Sequence, residues 1–131
     1  MIETSPKGRI HMADSASHRN DTERRRSARF LFSADAEILH RASGKQLQGL
    51  VTHLSLNGCH VKVADFFPQG AAIHVKIFKF GEYFETEARV AFLNPGSGLG
   101  LSFRNIHPGH FPVLQKWLLE AMRREREKQS P

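Results

Sequence analysis

The chain has 131 residues, 40% hydrophobic and 24% charged, with a formal net charge of +6. This is enough for one domain with a real core, too short for a TIM barrel, and too apolar for wholesale disorder. The single cysteine, Cys59, excludes an intrachain disulfide framework and a four-cysteine zinc module. No apolar run nears the roughly 18 residues that span a bilayer, and no signal-peptide core opens the chain, so the expected compartment is the cytoplasm.

Residues 1–22 lack periodicity and read as a mobile N-terminal tail. From Phe30 the pattern becomes period two. Phe30, Phe32, Ala34, Ala36 and Ile38 alternate with Leu31, Ser33, Asp35 and Glu37, the mark of a strand with one buried face. Arg41 to Lys45 reads as a turn. A second strand covers Leu47 to Ser55, with Leu50, Leu54 and Leu56 expected inside and Val51, His53 and Ser55 outside. Asn57-Gly58 is a turn dipeptide suited to positive φ. Cys59, Val61 and Val63 alternate with His60 and Lys62, and Asp65 to Gly70 breaks that strand. Ile73, Val75 and Ile77 form the fourth strand, and Gly81 marks the next turn. Phe84, Thr86, Ala88 and Val90 form the fifth. Asn94 to Gly98 is a loop, and Leu99, Leu101 and Phe103 form the sixth.

Six short strands at hairpin spacing predict a mainly β fold, an antiparallel barrel. After Asn105 the period turns helical. Pro108 and Pro112 suit a first turn. Phe111, Leu114, Leu118 and Ala121/Met122 form an apolar stripe, widened by Trp117 and Leu119. Residues 123–131 form a charged C-terminal end, whose cations suit the helix dipole.

The charge is unevenly placed. Residues 1–29 hold seven Lys/Arg against four Asp/Glu, residues 30–104 seven against six, and residues 105–131 five against three. The barrel is therefore nearly neutral. Long nucleic acid spread over a basic face is disfavoured, and no DNA partner is expected. The dense cluster is Arg24, Arg25, Arg26 and Arg29, where guanidinium groups can fork onto phosphate and stack on purines. The second candidate is His53-Leu54-Ser55-Leu56-Asn57-Gly58, a hydroxyl and an imidazole beside a glycine turn.

Glu23-Arg24-Arg25-Arg26-Ser27-Ala28-Arg29 resembles the RxxxR signature of the PilZ domain family, with Arg25 and Arg29 as its arginines. His53 to Gly58 resembles that family's (D/N)xSxxG signature, and Gly98 to Phe103 its closing strand. The likeness covers residues 23–122. It implies a split six-stranded barrel with a C-terminal helix, and binding of the bacterial second messenger cyclic di-GMP with no catalysis and no other cofactor. On that resemblance, Arg25 and Arg29 grip phosphates and purine faces. Ser55 bonds a base or phosphate, Gly58 shapes the loop, and Arg24 serves a second, stacked ligand. Ordering of the arginine segment over the ligand would signal to a protein partner.

His53 departs from the family pattern. A carboxylate accepts from guanine N1–H and N2–H₂ together, whereas a neutral imidazole offers one donor and one acceptor. Losing that pair costs on the order of 1–3 kcal/mol, about ten- to a hundredfold in affinity. The alternative is therefore a degenerate protein-interaction module that binds no nucleotide. Other chemistries are weaker. His53, His60 and His74 fall on three strands, and His107 and His110 flank Pro108-Gly109, so no metal site is expected. Ser55 with His53 lacks an orienting acid and an elbow motif, and Cys59 falls in a core pattern, so no enzyme is expected.

Overall fold

The computed structural model describes residues 28–129. The predicted N-terminal tail, and Arg24, Arg25 and Arg26, lie outside these. Six strands follow one another: β1 (Phe30–His40), β2 (Gln46–Leu54), β3 (Gly58–Val63), β4 (Ala72–Lys79), β5 (Glu82–Asn94) and β6 (Gly98–Arg104). They close into a barrel in the order β1-β2-β3-β6-β5-β4, every pair antiparallel. Among the described residues one helix, α1 (Phe111–Gln129), follows the strands and packs against β1 and β5.

The alternation read in β1, β4 and β5 is the alternation observed. Phe32, Ala34, Ala36 and Ile38 point inward, as do Ile73, Val75 and Ile77, and Phe84, Thr86, Ala88 and Val90. Thr86 is the polar member of that set, and its hydroxyl donates to the Arg104 carbonyl at 3.0 Å. Leu114, Trp117, Leu118 and Ala121 of α1 join the same core, with the Trp117 and Phe32 rings 5.4 Å apart. Pro112 occupies the first turn of α1, and Pro108 lies in the turn before it. There His107 Nδ1 accepts the Gly109 N–H at 2.9 Å, so a side chain caps the approach. Leu119 is 65% exposed and takes no part in the buried stripe. Phe67, in a segment read only as a strand breaker, is buried and stacks on His40 at 5.0 Å.

β2 overturns one expectation. Val51 and Leu54 are buried, whereas Leu50 and Leu56 are exposed. Ser55, expected outside, is buried; it and Leu56 lie past the end of β2, in the turn, where the alternation no longer applies. For Leu50 and Val51 the cause is an irregularity in register. Val51 pairs Val61 and His53 pairs His60, so Thr52 is an extra residue relative to β3. A bulge of this kind inverts the phase of the alternation beyond it. Leu50 therefore points away from the core, and Val51 points in.

Gly58 corrects another. It has no positive φ; positive-φ glycines among the described residues are Gly44, Gly70, Gly81, Gly96 and Gly98. What requires glycine is closeness, because a Cβ at position 58 would sit 2.0 Å from the Leu101 carbonyl oxygen. Across the same β3–β6 seam, a Cβ on Gly98 would sit 2.1 Å from the Val61 carbonyl oxygen. Barrel closure is thus drawn tight where glycine faces backbone.

A Gly58→Ala substitution should lower unfolding free energy by about 1–3 kcal/mol or more, since the obstructing atom is backbone. Gly44→Ala, with φ +75 and nothing within 4 Å, should cost roughly 1 kcal/mol through backbone strain alone. Urea unfolding midpoints at constant slope check the ordering.

Candidate functional site

The β2–β3 corner is built around one hydroxyl. Ser55 is buried, and its Oγ accepts from the Asn57 N–H at 3.2 Å and the Gly58 N–H at 3.1 Å. The same hydroxyl lies 3.2 Å from the Gly58 carbonyl oxygen, to which it donates, and the Ser55 N–H donates to that oxygen at 2.8 Å. The donor and both lone pairs are therefore engaged by the chain itself. Ser55 and Gly58 act here as the architecture of the turn that delivers β3 to β6.

His53 sits on the outer side of that corner, half-buried. Its Nδ1 lies 3.0 Å from Thr52 Oγ, and His60 Nδ1 lies 2.8 Å from the same oxygen. The two imidazoles stand edge to face, 6.2 Å apart. Bulging of Thr52 is what turns its side chain to join them. Burial pushes the His60 pKa down, and the cationic or cation-forming neighbours His53, Arg29 and Lys62 push it further in that direction.

Next to this pair lies a cleft of about 640 Å³ between the start of β1, β2 and the end of α1. Arg29, Leu31, Leu50 and His53 line one wall, with Arg124 and Lys128 opposite. Leu31 is 63% exposed and pairs across the strands with His53. Glu125 is the one carboxylate among the described lining residues, which otherwise make the cleft cationic with an apolar floor. Such a place suits a planar, apolar-faced anion.

The predicted residues thus divide. Arg29 and His53 share the cleft, Ser55 and Gly58 are buried beneath it, and Arg24 and Arg25 lie outside the described residues. Thr52, His60, Arg124 and Lys128 were not singled out by sequence reasoning. Arg124 and Lys128 are one helical turn apart, as are Ala121 and Glu125, which was the signal available for that wall.

Arg124 also borders a larger groove of about 1150 Å³ between α1 and the β4–β5 turn, where Phe80, Trp117, Pro112 and Leu119 are exposed or form the lining. Its guanidinium lies 5.9 Å from the Phe80 ring. Phe80 and Gly81 both have positive φ, the geometry of a tight two-residue hairpin.

Elsewhere on the barrel the titratable groups satisfy one another. His74 Nδ1 lies 2.8 Å from Glu87 and its Nε2 lies 2.9 Å from Glu85, while Arg41 pairs with Glu87. The Arg41 guanidinium, more than His74, holds the Glu87 carboxyl below its ordinary range. Among the described residues no group of His, Cys, Asp and Glu is arranged to hold a metal ion, and no helix is long and apolar enough to cross a membrane. Burial pushes the Cys59 thiol up to about 12, against 9.0 for an ordinary one.

Two measurements check these assignments. Ser55→Ala should lose about 1–3 kcal/mol of stability, because it strands buried backbone groups; the thermal midpoint reports it. Cys59 should resist an alkylating reagent at pH about 8 in the folded protein and react fully in denaturant, since the thiolate is the nucleophile.

The family model of the PilZ domain matches residues 23–120. Among solved structures, the chain is similar to the PilZ domain of YcgR from Escherichia coli with c-di-GMP, at 20% identity and TM-score 0.59, over 80% of this chain and 96% of that one. YcgR from Escherichia coli in complex with c-di-GMP gives 24% identity and TM-score 0.63, over 80% of this chain and 49% of that one. The Bacillus subtilis inhibitor of motility MotI/DgrA gives 26% identity and TM-score 0.62, over 81% of this chain and 53% of that one. The chain therefore spans about half the length of these last two. Among curated proteins, none matches this sequence.

Proposed function

Because the chain belongs to the PilZ domain family, we propose that it is a receptor domain for cyclic di-GMP. The carrying observation is the juxtaposition of Arg29 and His53 in one cationic cleft with an apolar floor. On this reading Arg25 and Arg29 take the phosphates and stack on a guanine. Leu31 and Leu50 underlie the base, and Arg124 and Lys128 add positive potential from the opposite wall. Arg24 serves a second, stacked ligand. His53 replaces the bidentate carboxylate of the family signature with a single donor or acceptor. Ser55 and Gly58 contribute by shaping the corner, since the Ser55 hydroxyl is already bonded. Drawing the arginine segment onto the barrel changes the surface offered to a protein partner, an order–disorder type of switch. The cytoplasm, where a bacterial second messenger circulates, is the compartment this reading requires.

A second reading has one observation in its favour. With Ser55 consumed by the turn and His53 in the acidic position, both side-chain acceptors of the second signature are altered or engaged. A protein-interaction module without nucleotide would be built the same way.

Calorimetric titration of the folded protein with cyclic di-GMP separates the two, and no heat with the fold intact leaves the interaction module. Arg25→Ala and Arg29→Ala should each weaken binding at least about tenfold, the loss of one charge-assisted contact. His53→Asp should tighten it about tenfold by restoring paired acceptors. Amide exchange in residues 20–30 should slow on ligand addition; unchanged exchange there removes the switch.

A further inference from the structure

His60 lies outside both sequence signatures, yet the fold places it directly beside His53 and Thr52, two residues that line the cationic cleft. It is the cross-strand partner of His53, and it shares the Thr52 hydroxyl with it. On its other side, β6 offers Gly100, over which the Phe92 ring of β5 is packed. Charged groups acting on it are Arg29 at the start of β1, His53 on β2 and Lys62 on its own strand. Across the cleft that His53 and Thr52 line, α1 adds Arg124 and Lys128, with Glu125 between them. Among the described residues, no carboxylate is among the groups that act on His60.

We propose that His60 is a recognition residue of this face and takes up one proton when a phosphodiester dianion docks beside Arg29 and His53. The inference rests on the nucleotide-binding reading above. The free protein disfavours charge on His60, because it would add a cation to a cluster of cations in a half-buried position. A bound dianion reverses that balance, and the proton comes from the buffer. Coulomb attraction then stabilises the same imidazolium that was repelled before.

The hydrogen bonds give the proton a defined route of influence. Thr52 Oγ carries one proton and lies 3.0 and 2.8 Å from two Nδ1 atoms and, more distantly, 3.5 Å from the His60 carbonyl oxygen, so for both ring contacts to be hydrogen bonds at least one ring must itself carry Nδ1–H. With His60 charged, His60 Nδ1–H donates to Thr52 Oγ, and the hydroxyl donates to His53 Nδ1. His53 is then held as the Nε2–H tautomer. Both rings present an Nε2–H donor, across the ring from Thr52, to an acceptor such as phosphate or a guanine carbonyl. A site that lost a carboxylate at position 53 gains a proton-dependent pair of donors in its place.

The sign follows from linkage. Burial first, and then its cationic neighbours, hold the free-state pKa of His60 below its ordinary value, and a docked dianion would raise it. Between the two values the complex binds more protons than the free protein, so affinity rises as pH falls through that window and levels off below it.

The test is calorimetry of the wild-type chain with cyclic di-GMP at pH about 6.5, in two buffers of different ionisation enthalpy such as MES and ACES. The expected result is a buffer-dependent heat equivalent to the uptake of up to about one proton. His60→Gln should keep binding, weakened about three- to tenfold, and lose the buffer dependence. A proton NMR titration of the wild-type imidazoles should show the His60 pKa rising on ligand addition, which reads the residue directly without substitution. Binding with heats independent of buffer overturns this inference and leaves the receptor reading intact. Undiminished proton uptake in His60→Gln also overturns it. Absence of binding by the wild type overturns both.

Discussion

The hydroxyl of Ser55, bonded to three backbone groups of the Asn57-Gly58 turn, holds the corner from which both halves of this structure follow. On one side it brings Gly58 hard against the Leu101 carbonyl, so that β3 and β6 can pair and the barrel can close. On the other it fixes the end of β2, where the extra residue Thr52 turns the polar face outward. Buried polar groups that are fully satisfied rigidify what they join. A serine and a glycine at this spacing are thus needed by the fold before any ligand is considered.

Electrostatically the molecule separates two regimes. Around His74, Arg41, Glu85 and Glu87, opposite charges lie on neighbouring strands and neutralise one another at the surface. Exposed pairs of this sort add little stability. Among the described residues, the groups acting on His60, namely His53, Arg29 and Lys62, are all cationic or cation-forming, and across the neighbouring cleft the α1 end adds Arg124 and Lys128. The C-terminal dipole of α1 offsets part of that helix charge. What remains is a local positive field on a barrel whose total charge is nearly balanced.

Much of this was legible in the chain. Alternation in β1, β4 and β5 depends only on near neighbours, and the turns at Gly44 and Gly81 need positive φ, so local pattern sufficed. Leu50 and Val51 were assigned to the wrong faces because a bulge is a property of pairing, and pairing with β3 cannot be read from β2 alone. Gly58 was recognised for the wrong reason: its constraint is a carbonyl 43 positions further along the chain, at Leu101. Phe67 looked like loop because no periodicity surrounds it. The cleft was half visible. Arg29 and His53 stood in recognisable strings, whereas Thr52, His60 and Arg124 meet them only through strand register and helix packing. The family membership that the two strings suggested is the one the chain has.

The bulge at Thr52 has one more consequence. Because it sits within a strand paired to neighbours on both sides, Thr52, His53 and His60 are already positioned before anything arrives. Their share of the entropy of binding is settled at folding. The ordering still to be done at the described cleft belongs to long, rotamer-rich side chains, Arg29, Arg124 and Lys128, at about 0.5–1.5 kcal/mol for each one immobilised. On the proposed function, affinity at this surface would divide between a preorganised strand face that sets which groups are recognised and a cationic rim of long side chains that sets how tightly.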